Sequence, residues 1–190
     1  ETAEVERQFD NWSASGAAFL RPQAGLFLGL SLSRTERAPS EVELFADGVH
    51  VATAAYETGD LGLDTEKVTT LEGTVHFDRD RFSGDLHLYK AWYDGFIDER
   101  RTGADFTTDE GETFPVYRFV QTDADFYGFE AEAAYALWQD GDRKLSLEGA
   151  ADYVHAQTDF GPAARIPPYS VTGRLAWTST RLDASAEVRH

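Results

Sequence analysis

The chain has 190 residues, with 17 basic against 34 acidic side chains, a formal net charge of -17, and neither Cys nor Met. That balance excludes nucleic acid as a partner, because a phosphate backbone is held by clustered Lys and Arg. Without Cys there are no disulfides, thiolate metal sites or cysteine nucleophiles.

No run approaches the ~18 apolar residues of a membrane helix, whereas a transmembrane β-strand needs only about 9 to 11 residues, apolar at every second position. That period dominates the chain. Trp12, Ala14, Gly16, Ala18 and Leu20 share one face, and after the turn Arg21-Pro22-Gln23-Ala24-Gly25 so do Leu26, Leu28, Leu30 and Leu32. Leu71, Gly73, Val75 and Phe77 alternate with Thr70, Glu72, Thr74 and His76. Tyr127, Phe129, Ala131, Ala133, Tyr135 and Leu137 alternate with Gly128, Glu130 and Glu132. Leu145 to Tyr153, Val171 to Trp177 and Leu182 to Val188 repeat the pattern. The reading is all-β, with strands at 10–20, 25–35, 65–78, 81–97, 115–138, 142–157, 168–178 and 181–190.

The connections carry more information than the strands. Short turns fall at Arg21-Gly25, Asp78-Arg81, Trp138-Asp142 and Ser179-Thr180, and alternate strictly with long connections at 36–64, 98–114 and 158–167. Outer-membrane barrels have short periplasmic turns and longer extracellular loops. The expected fold is therefore an antiparallel transmembrane β-barrel segment of about eight strands. The lipid bilayer would meet its small-residue and aromatic faces, and Glu72, Glu130 and Glu132 would face the lumen. The chain opens on Glu1 and stops in mid-alternation at Ala186-Glu187-Val188-Arg189-His190, so a segment of a longer barrel is expected. A soluble β-sandwich binding calcium or sugar through its acidic loops, and an autonomous outer-membrane adhesin or binding barrel, are the alternatives.

A family resemblance enters at the first long loop. Glu36-Arg37-Ala38-Pro39, Glu43-Leu44-Phe45, Gly48-Val49-His50, Ala52-Thr53, Tyr56-Glu57 and Gly59-Asp60 resemble the extracellular loop signature of TonB-dependent outer-membrane receptors, in the branch of zinc-regulated and haem receptors. Haem receptors of that branch carry a Phe-Arg-Ala-Pro box and an Asn-Pro-Asn-Leu box flanking a histidine. Here the boxes read Glu36-Arg37-Ala38-Pro39 and Gly59-Asp60-Leu61-Gly62-Leu63, with His50 between them. The run from Pro115 to Glu130, with its frame Gln121-x-x-Ala124-x-x-x-Gly128-x-Glu130, is similar to the strand that follows a large extracellular loop in the same receptors.

The resemblance covers residues 10 to 190. It implies a barrel of about 22 strands, of which residues 1–190 supply a part, the plug domain and remaining strands lying elsewhere. It also implies an outer-membrane active-transport receptor that captures a scarce metal or metal complex at its extracellular loops. Its partners would be the metal ion or haem, the remaining barrel strands, and the TonB complex through a plug outside this chain. No cofactor is expected, zinc or haem being the transported ligand. Zinc is favoured because the acidic loops suit a cation better than haem propionates and the haem boxes are incomplete. A haem or siderophore receptor of the same family is the alternative.

His50 is the sharpest candidate residue, since a neutral imidazole can ligate zinc or haem iron and the nearby Glu43, Asp47 and Glu57 offer oxygen ligands. In the connection at 98–114, Asp105, Asp109, Glu110 and Glu112 are candidates for steering cations toward the barrel mouth. His76, His87 and His155 read as ordinary hydrogen-bonded histidines. Glu130 and Glu132 lie two apart on one strand face, roughly 7 Å, and read as lumen carboxylates rather than an acid-base pair. There is no Ser-His-Asp order, nucleophile elbow, phosphate-binding Gly loop or His-Glu-x-x-His, so no enzymatic activity is expected.

Overall fold

The computed structural model describes residues 5–164, 166–167 and 169–190. Pro168, the expected first residue of the seventh strand, lies outside them. The elements in chain order are β1 (Ser13–Gln23), β2 (Leu26–Arg37), α1 (Glu41–Phe45), β3 (Asp47–His50), β4 (Ala55–Thr58), β5 (Glu66–Arg79), β6 (Phe82–Thr107), β7 (Thr113–Asp140), β8 (Arg143–Thr158), β9 (Gly161–Pro162), β10 (Ser170–Thr178) and β11 (Ala184–Arg189). Eight of these strands form one antiparallel meander in the order β1-β2-β5-β6-β7-β8-β10-β11. They are the eight expected from the alternation, seven of them within three residues of the expected ends, whereas β6 runs to Thr107, ten residues past its expected end at 97.

Register turns the alternation into faces. Leu28, Leu30 and Leu32 stand opposite Val75, Gly73 and Leu71, which stand opposite Leu86, Leu88 and Lys90. Leu86 and Leu88 meet Ala131 and Phe129, and the row runs on through Ala151 and Tyr153. One face is thus apolar across the whole meander. It is also bare: Leu30 is 58% exposed, Leu88 50% and Leu147 51%. No second sheet packs on it among the described residues, which removes the soluble sandwich, since a face of this extent in water would be an aggregation surface. Lipid covers it in a transmembrane barrel. The opposite face carries Ser31, Glu72, Thr74, His76, Asp85, His87, Glu130, Glu132 and Asp152.

At one rim the turns are tight. Gly25 adopts φ +76°, and a Cβ there would lie 1.9 Å from the carbonyl oxygen of Asp78, so only glycine lets this turn sit against its neighbour. Each turn is tied to its neighbour, Gly25 O accepting from Asp78 N of β5 at 2.7 Å, Arg81 O from Ala136 N of β7 at 2.8 Å, and Asp142 from Thr180 Oγ1 of the last turn at 2.7 Å.

The other rim carries the long connections and departs most from expectation. The stretch 98–114 is not a loop: β6 runs to Thr107 and β7 starts at Thr113, so a hairpin projects beyond the neighbouring strands and only 108–112 form its tip. The stretch 38–65 folds into α1 and the β3–β4 hairpin, and β4 pairs in parallel with β7 at Tyr56↔Val116, Glu57↔Tyr117 and Thr58↔Arg118. Because β5 and β6 separate β2 from β7, this connection spans two strands before it docks. Under it lies the hydrophobic core, Leu44, Leu63 and Ile97 with Phe9 and Phe119 against them. Among the described residues the strand wall itself, one layer thick, buries no large side chain fully.

Candidate functional site

The connection from β2 to β5 is built from its two feet inward. At the first foot, Arg37 ends β2 beside Glu66, the first residue of β5. Its guanidinium donates from Nε and Nη2 to Glu66 at 2.8 and 3.0 Å, and from Nη1 and Nη2 to Glu43 at 2.9 and 3.1 Å. Glu66 also accepts from the backbone N of Ile97 at 2.8 Å. One arginine fork therefore ties the loop helix to the barrel wall. Glu43 serves twice: Ser40 caps α1, and Glu43 reaches back to Ser40 N at 2.7 Å in a capping box. Burial lowers the Arg37 pKa, but its hydrogen bonds to Glu43 and Glu66 outweigh this and raise it. Burial likewise raises the Glu43 carboxyl, and Arg37 with the Ser40 N–H brings it below the usual carboxylate range.

At the second foot, Gln121 makes three hydrogen bonds, accepting from Asp64 N at 2.8 Å and donating to Asp64 O at 2.7 Å and Gly95 O at 3.0 Å. Asp60 pairs with Arg118 at 2.7 Å. Arg7, from the segment before β1, donates to the carbonyls of Leu61 and Leu63. Gly59 passes so near the helix that a Cβ would lie 2.5 Å from the carbonyl carbon of Leu44. The sequence boxes at Glu36-Pro39 and Gly59-Leu63 are thus the two feet of one folded platform.

The platform presents His50, the last residue of β3. Its Nδ1 lies 2.8 Å from Oε1 of Glu57 on β4, which also accepts from Thr53 Oγ1 at 2.8 Å. Glu57 is 6% exposed, whereas the His50 side chain is 54% exposed. Burial raises the Glu57 carboxyl, but the hydrogen bonds from His50 and Thr53 outweigh it and hold it below the usual range. An ionised carboxylate only accepts, so Nδ1 carries the proton and the lone pair of Nε2 points outward in the neutral ring.

Of the four expected metal-site residues, only His50 and Glu57 come together. Asp47 is three residues from His50 on one strand, hence on the opposite face, where it accepts from Tyr56 Oη at 2.7 Å. Glu43 is held by Arg37. Among the described residues no three His, Asp or Glu side chains converge to hold a metal ion. Asp105 pairs with Arg101 at 3.4 Å near the end of the projecting hairpin, and Asp109, Glu110 and Glu112 are exposed at its tip. Glu72 accepts from Ser31 at 2.9 Å, and Glu130 and Glu132 stand on the polar face opposite His87 and Asp85. His76 pairs with Asp85 at 2.7 Å and His87 meets Thr74 at 3.2 Å. His155 lies tilted against Tyr127 with centroids 5.0 Å apart, on the apolar face.

The depressed carboxyls set an acid limit. Groups whose folded pKa is lowered stabilise the fold above their unfolded value, about 4.3 for Glu, and lose that contribution as pH falls through the folded value. Hydrogen exchange over 41–58, corrected for intrinsic rates, is expected to stay flat from pH 7 to about 5 and to rise only below about pH 4.

A single-layer meander with a bare apolar face, knitted turns at one rim and folded loops at the other is the wall of a membrane-spanning β-barrel. The chain belongs to the TonB-dependent receptor β-barrel family: the family model "TonB dependent receptor-like, beta-barrel" matches residues 2–189. Barrels of this family are outer-membrane receptors rather than enzymes. Similar solved structures include the copper transporter OprC, at TM-score 0.71 and 18% identity, covering 94% of this chain and 26% of that one. The siderophore receptor PirA from Pseudomonas aeruginosa matches at TM-score 0.66 and 18% identity, covering 95% of this chain and 34% of that one. The FrpB iron transporter from Neisseria meningitidis matches at TM-score 0.58 and 12% identity, covering 93% and 26%. At these identities the likeness is one of fold, and the chain spans between a quarter and a third of each of those structures.

Proposed function

We propose that this barrel wall serves outer-membrane uptake of a metal complex, captured at the platform formed by residues 38–65, with the polar face of the sheet lining the lumen. The observation that carries this reading is the His50–Glu57 pair at 2.8 Å. A carboxylate on Nδ1 fixes the tautomer, orients the ring and raises the basicity of Nε2, the arrangement found behind metal-ligating histidines. One exposed imidazole suits a metal that arrives with most positions already filled and one open. Bare zinc, favoured by the acidic composition, prefers four ligands, and here would draw the others from elsewhere on the receptor. The acidic hairpin tip at Asp105 to Glu112 would raise the local concentration of cationic cargo. Energy for release would come through a plug and the TonB complex.

The test is titration of the full-length receptor in detergent with hemin and with zinc, for wild type, His50→Ala and Glu57→Gln. His50→Ala is expected to weaken hemin binding at least tenfold, about 1.4 kcal/mol, and Glu57→Gln about tenfold through loss of orientation. Loss of zinc binding alone would restore the zinc reading, and unchanged affinity for both would remove His50 from the site.

A further inference from the structure

We propose that Arg34 and Lys90 form a binding site for a bisphosphorylated glycolipid headgroup of the outer leaflet, on the lipid-facing side of the wall at its extracellular edge. Such a site depends on the barrel standing in the outer membrane with its long connections outward, and not on what the platform captures.

Two aromatic levels fix the height of this edge. Near the short turns, Trp138 and Trp177 both stand opposite Leu145 on the lipid-facing side and stack with centroids 5.7 Å apart. Tyr127 stands opposite His155, ten residues further along β8. Ten residues span about 33 Å of strand, or about 25 Å along the membrane normal at a tilt of ~40°, which is the height of the apolar band of such barrels. The row Leu32, Leu71, Lys90, Tyr127 and His155 is therefore the outer margin of the hydrocarbon. The next row, Arg34, Thr69, Trp92, Asp125 and Gln157, lies at headgroup level. Between the two aromatic levels this face carries no charged side chain among the described residues.

Lys90 starts in the deeper row and leaves it. Its Nζ lies 3.5 Å from Asp125 and 5.3 Å from the ring centroid of Trp92, both in the row above. The stem thus runs along apolar wall while the ammonium reaches the headgroups, as a cation at a lipid margin does. Arg34 is already at that level. Its Nη1 donates to Thr69 Oγ1 at 3.0 Å, and among the described residues no carboxylate pairs with it. The rest of its fork faces the lipid side, where a phosphate is the anion within reach. In a chain of net charge -17, these two rows reverse the balance, two cations standing against the single carboxylate of Asp125.

The spacing of the cations selects the headgroup. Arg34 and Lys90 are two strands and two residues apart, about 12 Å between Cα atoms. A headgroup with one phosphate reaches one of them, whereas phosphates at the two ends of a disaccharide reach both. Thr69 and Trp92 follow Arg34 in the register, so a hydroxyl and a flat ring lie between the two charges, where the sugars would rest.

The experiment delipidates the full-length receptor in detergent and measures by native mass spectrometry its affinity for bisphosphorylated lipid A, monophosphorylated lipid A and phosphatidylglycerol. Wild type is expected to hold the bisphosphorylated lipid at least about tenfold more tightly than the other two. Arg34→Gln with Lys90→Gln should abolish that preference at an unchanged melting temperature, and Arg34→Lys with Lys90→Arg, which keeps both charges, should retain it. Lys67→Gln is the control, one row further out between Glu36 and Asp94, and should leave the preference as it is. Equal affinity of wild type for all three lipids would reduce the site to a general lipid contact and overturn the proposal. So would a preference that survives the double Gln variant, one lost in the charge-keeping variant, or one lost equally in Lys67→Gln. His50→Ala should leave all three affinities unchanged, so failure of the platform reading and failure of this one are read separately.

Discussion

Replacing Arg37 with Ala is expected to release residues 38–65 from the barrel rim while leaving the barrel folded. The substitution leaves two carboxylates without their cation, and Glu66 is the costly one because its side chain is only 8% exposed. Removing one partner of a fully buried ion pair costs about 3 to 5 kcal/mol. The Arg37 side chain is 43% exposed, so solvent screens part of the pair, and about 2 to 3 kcal/mol of local stability is expected to go. That corresponds to a roughly 30- to 150-fold rise in the open population. Cleavage by added protease between Ala46 and Gly62 should rise in proportion when opening is fast relative to cleavage. The melting temperature of the barrel should stay near wild type. Arg37→Lys should fall between the two, since lysine keeps the charge and loses the fork that reaches Glu43 and Glu66 together. A cleavage rate unchanged in Arg37→Ala would mean that the second foot alone holds the platform.

This expectation also bears on why a binding loop should be folded at all. A mobile loop would lose conformational entropy each time it captured cargo, at about 1 to 2 kcal/mol per ordered residue. Arg37 and Gln121 fix both feet beforehand, so the His50–Glu57 pair is already in place when the ligand arrives.

How far this was legible in the residues depends on whether water touched one face or two. The eight strands were visible because one side of each is apolar. The outer part of β6, Asp98-Glu99-Arg100-Arg101-Thr102-Gly103, stands above the membrane with polar residues at successive positions, so it carries no period of two and reads as a loop. Helix α1, only five residues long, is too short to show a period, although Ser40-x-x-Glu43 spells a capping box. His50 was legible as a residue type, but the separation of Asp47 from it needs β3 to be a strand. Arg37 and Glu66 are 29 residues apart, and only the pairing of β2 with β5 makes them neighbours. Tyr93 and Phe96, three residues apart, read as belonging to opposite faces until the bulge between them is known.

The frame Gln121-x-x-Ala124-x-x-x-Gly128-x-Glu130 is likewise explained by the structure, and its glycine gives the second large effect. Gly128→Ala is expected to destabilise the barrel wall by about 2 to 4 kcal/mol, because a Cβ there would lie 2.2 Å from the carbonyl oxygen of Tyr153 and 2.6 Å from Oη of Tyr89. Tyr89 is a side chain and can swing away; the Tyr153 carbonyl belongs to the neighbouring strand and cannot move without parting β7 from β8. Gly173→Ala, at a position where a Cβ meets nothing within 4 Å, is the control and should change stability by less than about 0.5 kcal/mol. Thermal unfolding of the full-length receptor in detergent reads both. If Gly128→Ala melts with wild type, the wall is more compliant at this point than its register implies. If the loss is as large in a Tyr89→Ala background, where the whole ring is gone, the Tyr153 carbonyl is the obstacle. Gly128 is then required by the close approach of β7 to β8, independently of any ligand.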